Sequence, residues 1–111
     1  MDTLDRYRKL VREVISEYAQ FKPSVGEVEV EVIFDEKLDH YELLHTGWSG
    51  PYRVHGSVIH IDLRGGKFWI QHDGTERGVA LDLVDRGVPK EDIVLAFKPP
   101  EMRSLTDFAI G

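Results

Sequence analysis

At 111 residues the chain has room for one domain, 1–111, and a chain of this size buries roughly 60–70% of its unfolded surface, enough to fold without staples. It has no cysteine, which excludes disulfides, zinc–thiolate sites, iron–sulfur clusters and a cysteine nucleophile. The formal net charge of −6 is concentrated in residues 27–45, which carry seven acidic groups against Lys37 alone. That balance opposes tight non-specific binding to nucleic acid, which draws on phosphate neutralisation.

The first predicted element is a helix over residues 3–20, where Leu4, Tyr7, Leu10, Val11, Val14, Ile15 and Tyr18 recur at steps of three and four. Asp2 or Thr3 can cap its start and Lys22-Pro23 ends it. The apolar stripe is wide for so small a domain, so part of it is available to a partner. From Glu27 to Asp35 the period changes to two: Val28, Val30, Val32 and Phe34 share one side, and Glu27, Glu29, Glu31 and Ile33 the other. This predicts a half-buried antiparallel strand with an acidic face that protects an edge from aggregation. A turn at 35–39 leads into a second strand at about His40–Trp48, and Gly50-Pro51 into a third at about Tyr52–Leu63.

Arg64-Gly65-Gly66-Lys67 reads as a hairpin, because glycine tolerates the positive φ values of tight two-residue turns. The fourth strand then runs to about His72. A two-residue loop sets Leu63 opposite Phe68, Ile61 opposite Ile70 and Ile59 opposite His72 on the core side. On the other side Asp62 faces Trp69, His60 faces Gln71 and Val58 faces Asp73. A second helix is predicted from Asp73-Gly74-Thr75-Glu76, which resembles a capping box with Thr75 as the alternative cap, to about Arg86. Gly87 suits the left-handed C′ position, with Val88 as its apolar contact and Pro89 as the stop. A turn at Pro89–Asp92, a short strand Ile93–Phe97 and an extended tail with Leu105, Phe108 and Ile110 complete the chain.

The polar groups between Val58 and Asp73 invite a catalytic reading. His60 and Asp62 share a strand face and could ligate a metal or act as an acid–base pair, but a metal site needs three or four convergent ligands. His55 and His72 fall on the opposite face in this register, and only a bulge at Gly56 would turn His55 around. Ser57 also points away from His60 and Asp62, and no G-x-S-x-G elbow exists. Asp35-Glu36-Lys37 matches the D-x-K fragment of metal-dependent nucleases but sits in a turn. Trp48, Tyr52 and Trp69 lack a basic groove for base stacking and read as core or interface aromatics. Arg6, Arg8, Lys9 and Arg12 form the one basic patch, diluted by Asp5 and Glu13. The expectation is therefore no catalytic residue, no metal set and no cofactor, with His60, Asp62, Trp69, Gln71 and Asp73 as an interaction face.

Leu4–Arg8, Val32–Asp35, Asp39-His40-Tyr41, Gly47-Trp48, Arg53–Gly56, Val58–Asp62, Lys67–Gln71, Asp73–Glu76, Pro89–Leu95 and Pro99-Pro100-Glu101 occur in the order of one family. The chain resembles the fdxN-element excision controlling factors, the XisI-like proteins of cyanobacteria. The resemblance implies an accessory role in programmed site-specific DNA excision during heterocyst development. A separate recombinase cuts and rejoins the DNA, and a second small factor, XisH, often accompanies this one. It carries over no catalytic residue.

The expected fold class is α+β: an N-terminal helix, a four-stranded antiparallel meander, a second helix, a short strand and an extended C-terminal tail. No apolar run approaches the ~18 residues of a membrane span, and the acidic start Met1–Asp5 is unlike a secretion signal. A cytoplasmic, non-enzymatic homodimer is expected, binding an XisH-like companion or a recombinase, with direct nucleic-acid binding weak or absent. The rival readings are a metal-dependent hydrolase or nuclease using His60 and Asp62, and DNA binding through the basic patch.

Overall fold

The computed structural model describes residues 2–24 and 26–111. Helix α1 (Thr3–Tyr18) begins where the Asp2 side chain accepts a hydrogen bond from the Asp5 backbone N–H at 2.9 Å, satisfying one of the donors a helix start leaves open. Its buried residues, Tyr7, Val11, Val14 and Ile15, are the three-and-four stripe seen in the sequence, and they face the sheet.

Four strands follow as a meander: β1 (Glu27–Asp35), β2 (His40–Ser49), β3 (Tyr52–Arg64) and β4 (Lys67–Asp73). The sheet order is β1-β2-β3-β4-β5, with β5 (Ile93–Leu95) added parallel to β4. The short strand expected near residue 93 thus joins the sheet and makes it five-stranded and mixed. A parallel neighbour needs a crossover, and helix α2 (Val79–Asp85) with the turn Lys90–Asp92 supplies it. The tail is less extended than expected: Pro100–Arg103 forms a helical turn, α3, and Ala109 then bridges Val94.

The turn between β3 and β4 is the predicted two-residue loop, with Gly65 at φ 59° and Gly66 at φ 77° and Arg64 facing Lys67. Leu63 faces Phe68, Asp62 faces Trp69 and Ile61 faces Ile70 as expected. Beyond that point a bulge shifts the ladder by one: His60 faces His72, not Gln71, and Ile59 faces Asp73, not His72. Gln71 is the extra residue, and one extra residue exchanges the two faces of everything after it.

That bulge explains a second difference. Asp73 lies opposite core residue Ile59, on the helix side of the sheet. Its Oδ1 accepts from the Thr75 N–H, and its Oδ2 accepts from the Val79 N–H at 2.9 Å. The Thr75 hydroxyl accepts from the Gly78 N–H. The expected capping box at Asp73–Glu76 is replaced by a loop, and α2 starts only after Gly78, whose φ of 96° no helix accepts. The other end is as predicted: the Gly87 N–H donates to Val84 O and the Val88 N–H to Leu83 O, closing a Schellman motif over buried Val88.

Ile59, Ile61, Leu63, Phe68 and Ile70 form the inner face under α1 and α2, none more than 6% exposed. The Tyr7 ring lies 4.6 Å from that of Phe68, centroid to centroid. Each of these side chains contributes about 1.5–3 kcal/mol by leaving water. Trp48 and Tyr52, by contrast, are not core residues: they stand exposed at the far end of the β2–β3 hairpin.

Candidate interaction face

The outer face of the sheet collects the polar residues of the same strands. A second bulge, at Leu43/Leu44 in the β2–β3 ladder, makes Val58 the extra residue, so that Leu43 faces Ile59 while Leu44 faces Ser57. Without it His40 would lie opposite Ile61. With it His40 lies opposite Asp62, and both side chains point outward. The same shift carries His55, opposite Thr46, to the outer side, and the β3–β4 bulge does so for His72, opposite His60. Simple alternation had placed both on the core side.

Asp62 is the centre of this face. A carboxylate can only accept, so both imidazoles donate to it: His40 Nδ1–H to Oδ1 at 2.6 Å, and His60 Nε2–H to the same oxygen at 2.9 Å. Gln71 Nε2–H donates to Oδ2 at 3.3 Å. The Asp62 side chain is 16% exposed, His60 is 31% exposed and His40 is 53% exposed, so the cluster opens to solvent on the His40 side. The Asp62 hydrogen bond, reinforced by its charge, raises the His40 pKa above the ordinary imidazole value. His40 is the residue that reading His60 and Asp62 as an isolated pair missed. Among the described residues, His40, His60 and Asp62 are the one group whose ligand-type atoms all lie within 4.8 Å of one another.

Trp69 is held beside this cluster by its own chain. Its indole N–H donates to Arg64 O at 3.1 Å, the Arg64 guanidinium sits 4.1 Å from its ring, and Arg103 of α3 sits 5.8 Å from it. His60, Asp62, Trp69 and Gln71 therefore gather on one face, and Asp73 does not. Ser57 Oγ is enclosed without a hydrogen-bond partner while His60 is engaged by Asp62, so no serine–histidine–aspartate relay forms. Asp35 accepts from the Lys37 and Leu38 N–H groups as a turn cap, and Glu36 pairs with Arg12.

The basic patch of α1 is tied to partners within the chain. Arg8 makes a two-pronged contact with Asp39 at 2.8 and 3.0 Å, which holds the Asp39 carboxyl below its ordinary pKa. Arg12 pairs with Glu36, Lys9 lies 4.0 Å from Glu13, and Arg6 donates to Gly87 O. A phosphate backbone would have to compete with those carboxylates.

The family model for "XisI protein" matches residues 1–110. A crystal structure of a XisI-like protein from Anabaena variabilis ATCC 29413 superposes with a TM-score of 0.91 at 40% identity, covering 97% of this chain and 99% of that one. The crystal structure of the fdxN element excision controlling factor XisI from the same organism superposes with a TM-score of 0.87 at 35% identity, covering 99% and 100%. No curated protein matches the chain. Among the described residues no helix is long and apolar enough to cross a membrane.

Proposed function

Because the chain belongs to the XisI protein family, we propose that it is an accessory factor controlling a programmed DNA excision or a related rearrangement. In this reading it acts by contact with another protein, an XisH-like companion or the recombinase, and does not cut DNA itself. The observation that carries the reading is the end-to-end likeness to a protein named an excision controlling factor. Two features of the surface support the mode of action. The outer face presents a polar patch fixed by hydrogen bonds and flanked by Trp69. Arg8 and Arg12 of α1 are engaged by carboxylates, which favours a protein partner over a direct grip on phosphate.

We take the acting form to be a cytoplasmic homodimer. Among the described residues nothing pairs with the outer edge of β1, and Val32 and Ile33 are exposed there. Light scattering on the purified protein, alone and mixed with the companion factor, tests the proposal. A dimer that forms a defined complex is expected, and Gln71→Arg, which adds bulk and charge to the patch, should weaken that complex at least ~10-fold while the fold persists. A monomer indifferent to both companion and recombinase overturns it.

One observation favours a second reading, divalent-ion-dependent hydrolysis centred on His60 and Asp62: His40 completes a three-residue set around them. DNA cleavage in the presence of manganese that disappears in His60→Ala would support it, and cleavage retained in that variant would remove it.

A further inference from the structure

We propose that His40, His60 and Asp62 bind a single divalent transition-metal ion of the zinc class on the outer face, bridging β2 and β3. Two imidazoles and one carboxylate are the donor set that borderline divalent ions take, and the three come from adjacent strands whose ladder fixes their spacing. Their ligand-type atoms converge within 4.8 Å, and the two ring nitrogens already address one carboxylate oxygen, at 2.6 and 2.9 Å.

Tetrahedral coordination at zinc distances sets neighbouring ligand atoms about 3.3 Å apart. The two nitrogen–oxygen distances reach that by opening less than an ångström, and half-exposed His40 has room to rotate. The ion would replace the two N–H protons that now point at Asp62, leaving each imidazole as a neutral donor. Gln71 fixes the carboxylate from behind through Oδ2, the orienting contact that ligating carboxylates characteristically have.

The surroundings suit a cation. Asp35 lies opposite His40 in the ladder, and Glu42 lies opposite His60 on the same outer face. Arg64, the basic residue beside the cluster on this face, is stacked on the Trp69 ring, and Arg8 and Arg12 of α1 are engaged by Asp39 and Glu36. With three ligands from the protein, at least one position of the ion faces solvent and is open to water or to a group from a bound protein. The inference concerns binding alone and holds whether or not the excision-control reading does.

Calorimetric titration of chelator-stripped protein with zinc chloride at neutral pH tests it, alongside absorption spectra with cobalt chloride. One ion per chain is expected, with visible cobalt bands of a four- or five-coordinate site. His40→Ala and Asp62→Asn should each abolish the one-to-one transition, and Gln71→Ala should weaken it about 10-fold, as loss of an outer-shell contact does. His72→Ala, on the same face but outside the cluster, should bind as the parent does. Circular dichroism confirms folding of each variant, and His40→Gln serves if His40→Ala does not fold. Absence of saturable one-to-one binding by the parent overturns the proposal, as does binding that survives both His40 substitutions.

Discussion

The two faces of one sheet are built from alternate residues of the same strands and are held by different forces. On the inner face Ile59, Ile61 and Phe68 are closed off completely beneath α1 and α2, and removal of apolar area from water supplies the free energy. On the outer face His40, His60, Asp62 and Gln71 remain partly open, and hydrogen bonds to one carboxylate set their positions. Apolar burial has no direction, so the inner face is constrained by volume and shape and not by bond angles. Hydrogen bonds have direction, so the outer face has one geometry and contributes little net stability. A site can be altered there without unfolding the protein.

The largest effect expected follows from that contrast between adjacent positions. Ile61→Ala opens a cavity in a fully buried site and should cost about 3–4 kcal/mol in urea unfolding. His60→Ala, one residue earlier on the other face, should cost about 1 kcal/mol or less, since the partner it leaves, Asp62, keeps His40 and Gln71. Equal costs would mean that the outer hydrogen bonds are part of the core's stability, and the division between the faces would fail.

A smaller loss is expected where β2 meets the edge strand β1. Gly47 has φ 154°, and a Cβ there would stand 2.1 Å from the Glu27 carbonyl oxygen of β1. Gly47→Ala should cost about 2 kcal/mol and act locally. Hydrogen exchange should speed up in the β1 amides while those of β3 and β4 stay protected. Global loss of protection would show that β1 is integral to the inner core and not an edge added to it.

Next in size is Tyr7→Phe. The ring packs on Phe68 and its hydroxyl donates to Asp92 at 2.6 Å, so removing the oxygen keeps the packing and takes one donor from a carboxylate. About 1–2 kcal/mol is expected, read from the urea midpoint at constant slope.

The inner face was far more legible in the sequence than the outer one. Strict alternation fixed β1 at Glu27–Asp35 to the residue, and the stripe of α1 needed only its spacing. The convergence of His40 on Asp62 was not legible, because the two are 22 residues apart and meet only through the extra residue Val58 in the β2–β3 ladder. A bulge changes the pairing of every residue beyond it, and Val58 differs in no visible way from its neighbours; Gly56 was the one hint, two positions early. The placement of Asp73 on the outer face failed for the same reason at Gln71. The family resemblance needed none of this geometry, since the ordered segments that carry it lie along the whole chain, and the match to residues 1–110 agrees.

The effect smallest near neutrality tests the inner face by charge. Burial, with Asp92 as acceptor, pushes the Tyr7 phenol up to about 12, and burial with Asp82 does the same for Tyr18. Tyr41, closed off and donating to Asp39, is raised further. A folded-state pKa above the unfolded value near 10 means that the native state prefers the neutral phenol. The contribution is therefore complete below pH ~10 and is lost as pH rises through about 12, where the unfolded chain has already released its protons. Stability should be unaffected by these groups up to pH ~9 and then fall steeply. Following tyrosinate absorbance and far-ultraviolet circular dichroism together checks the order of events: ionisation of Tyr7, Tyr18 and Tyr41 should coincide with loss of structure. Three phenols ionising at an ordinary pH while the dichroism stays native would mean that water reaches the inner face, and the two sides of the sheet would then differ less than their side chains suggest.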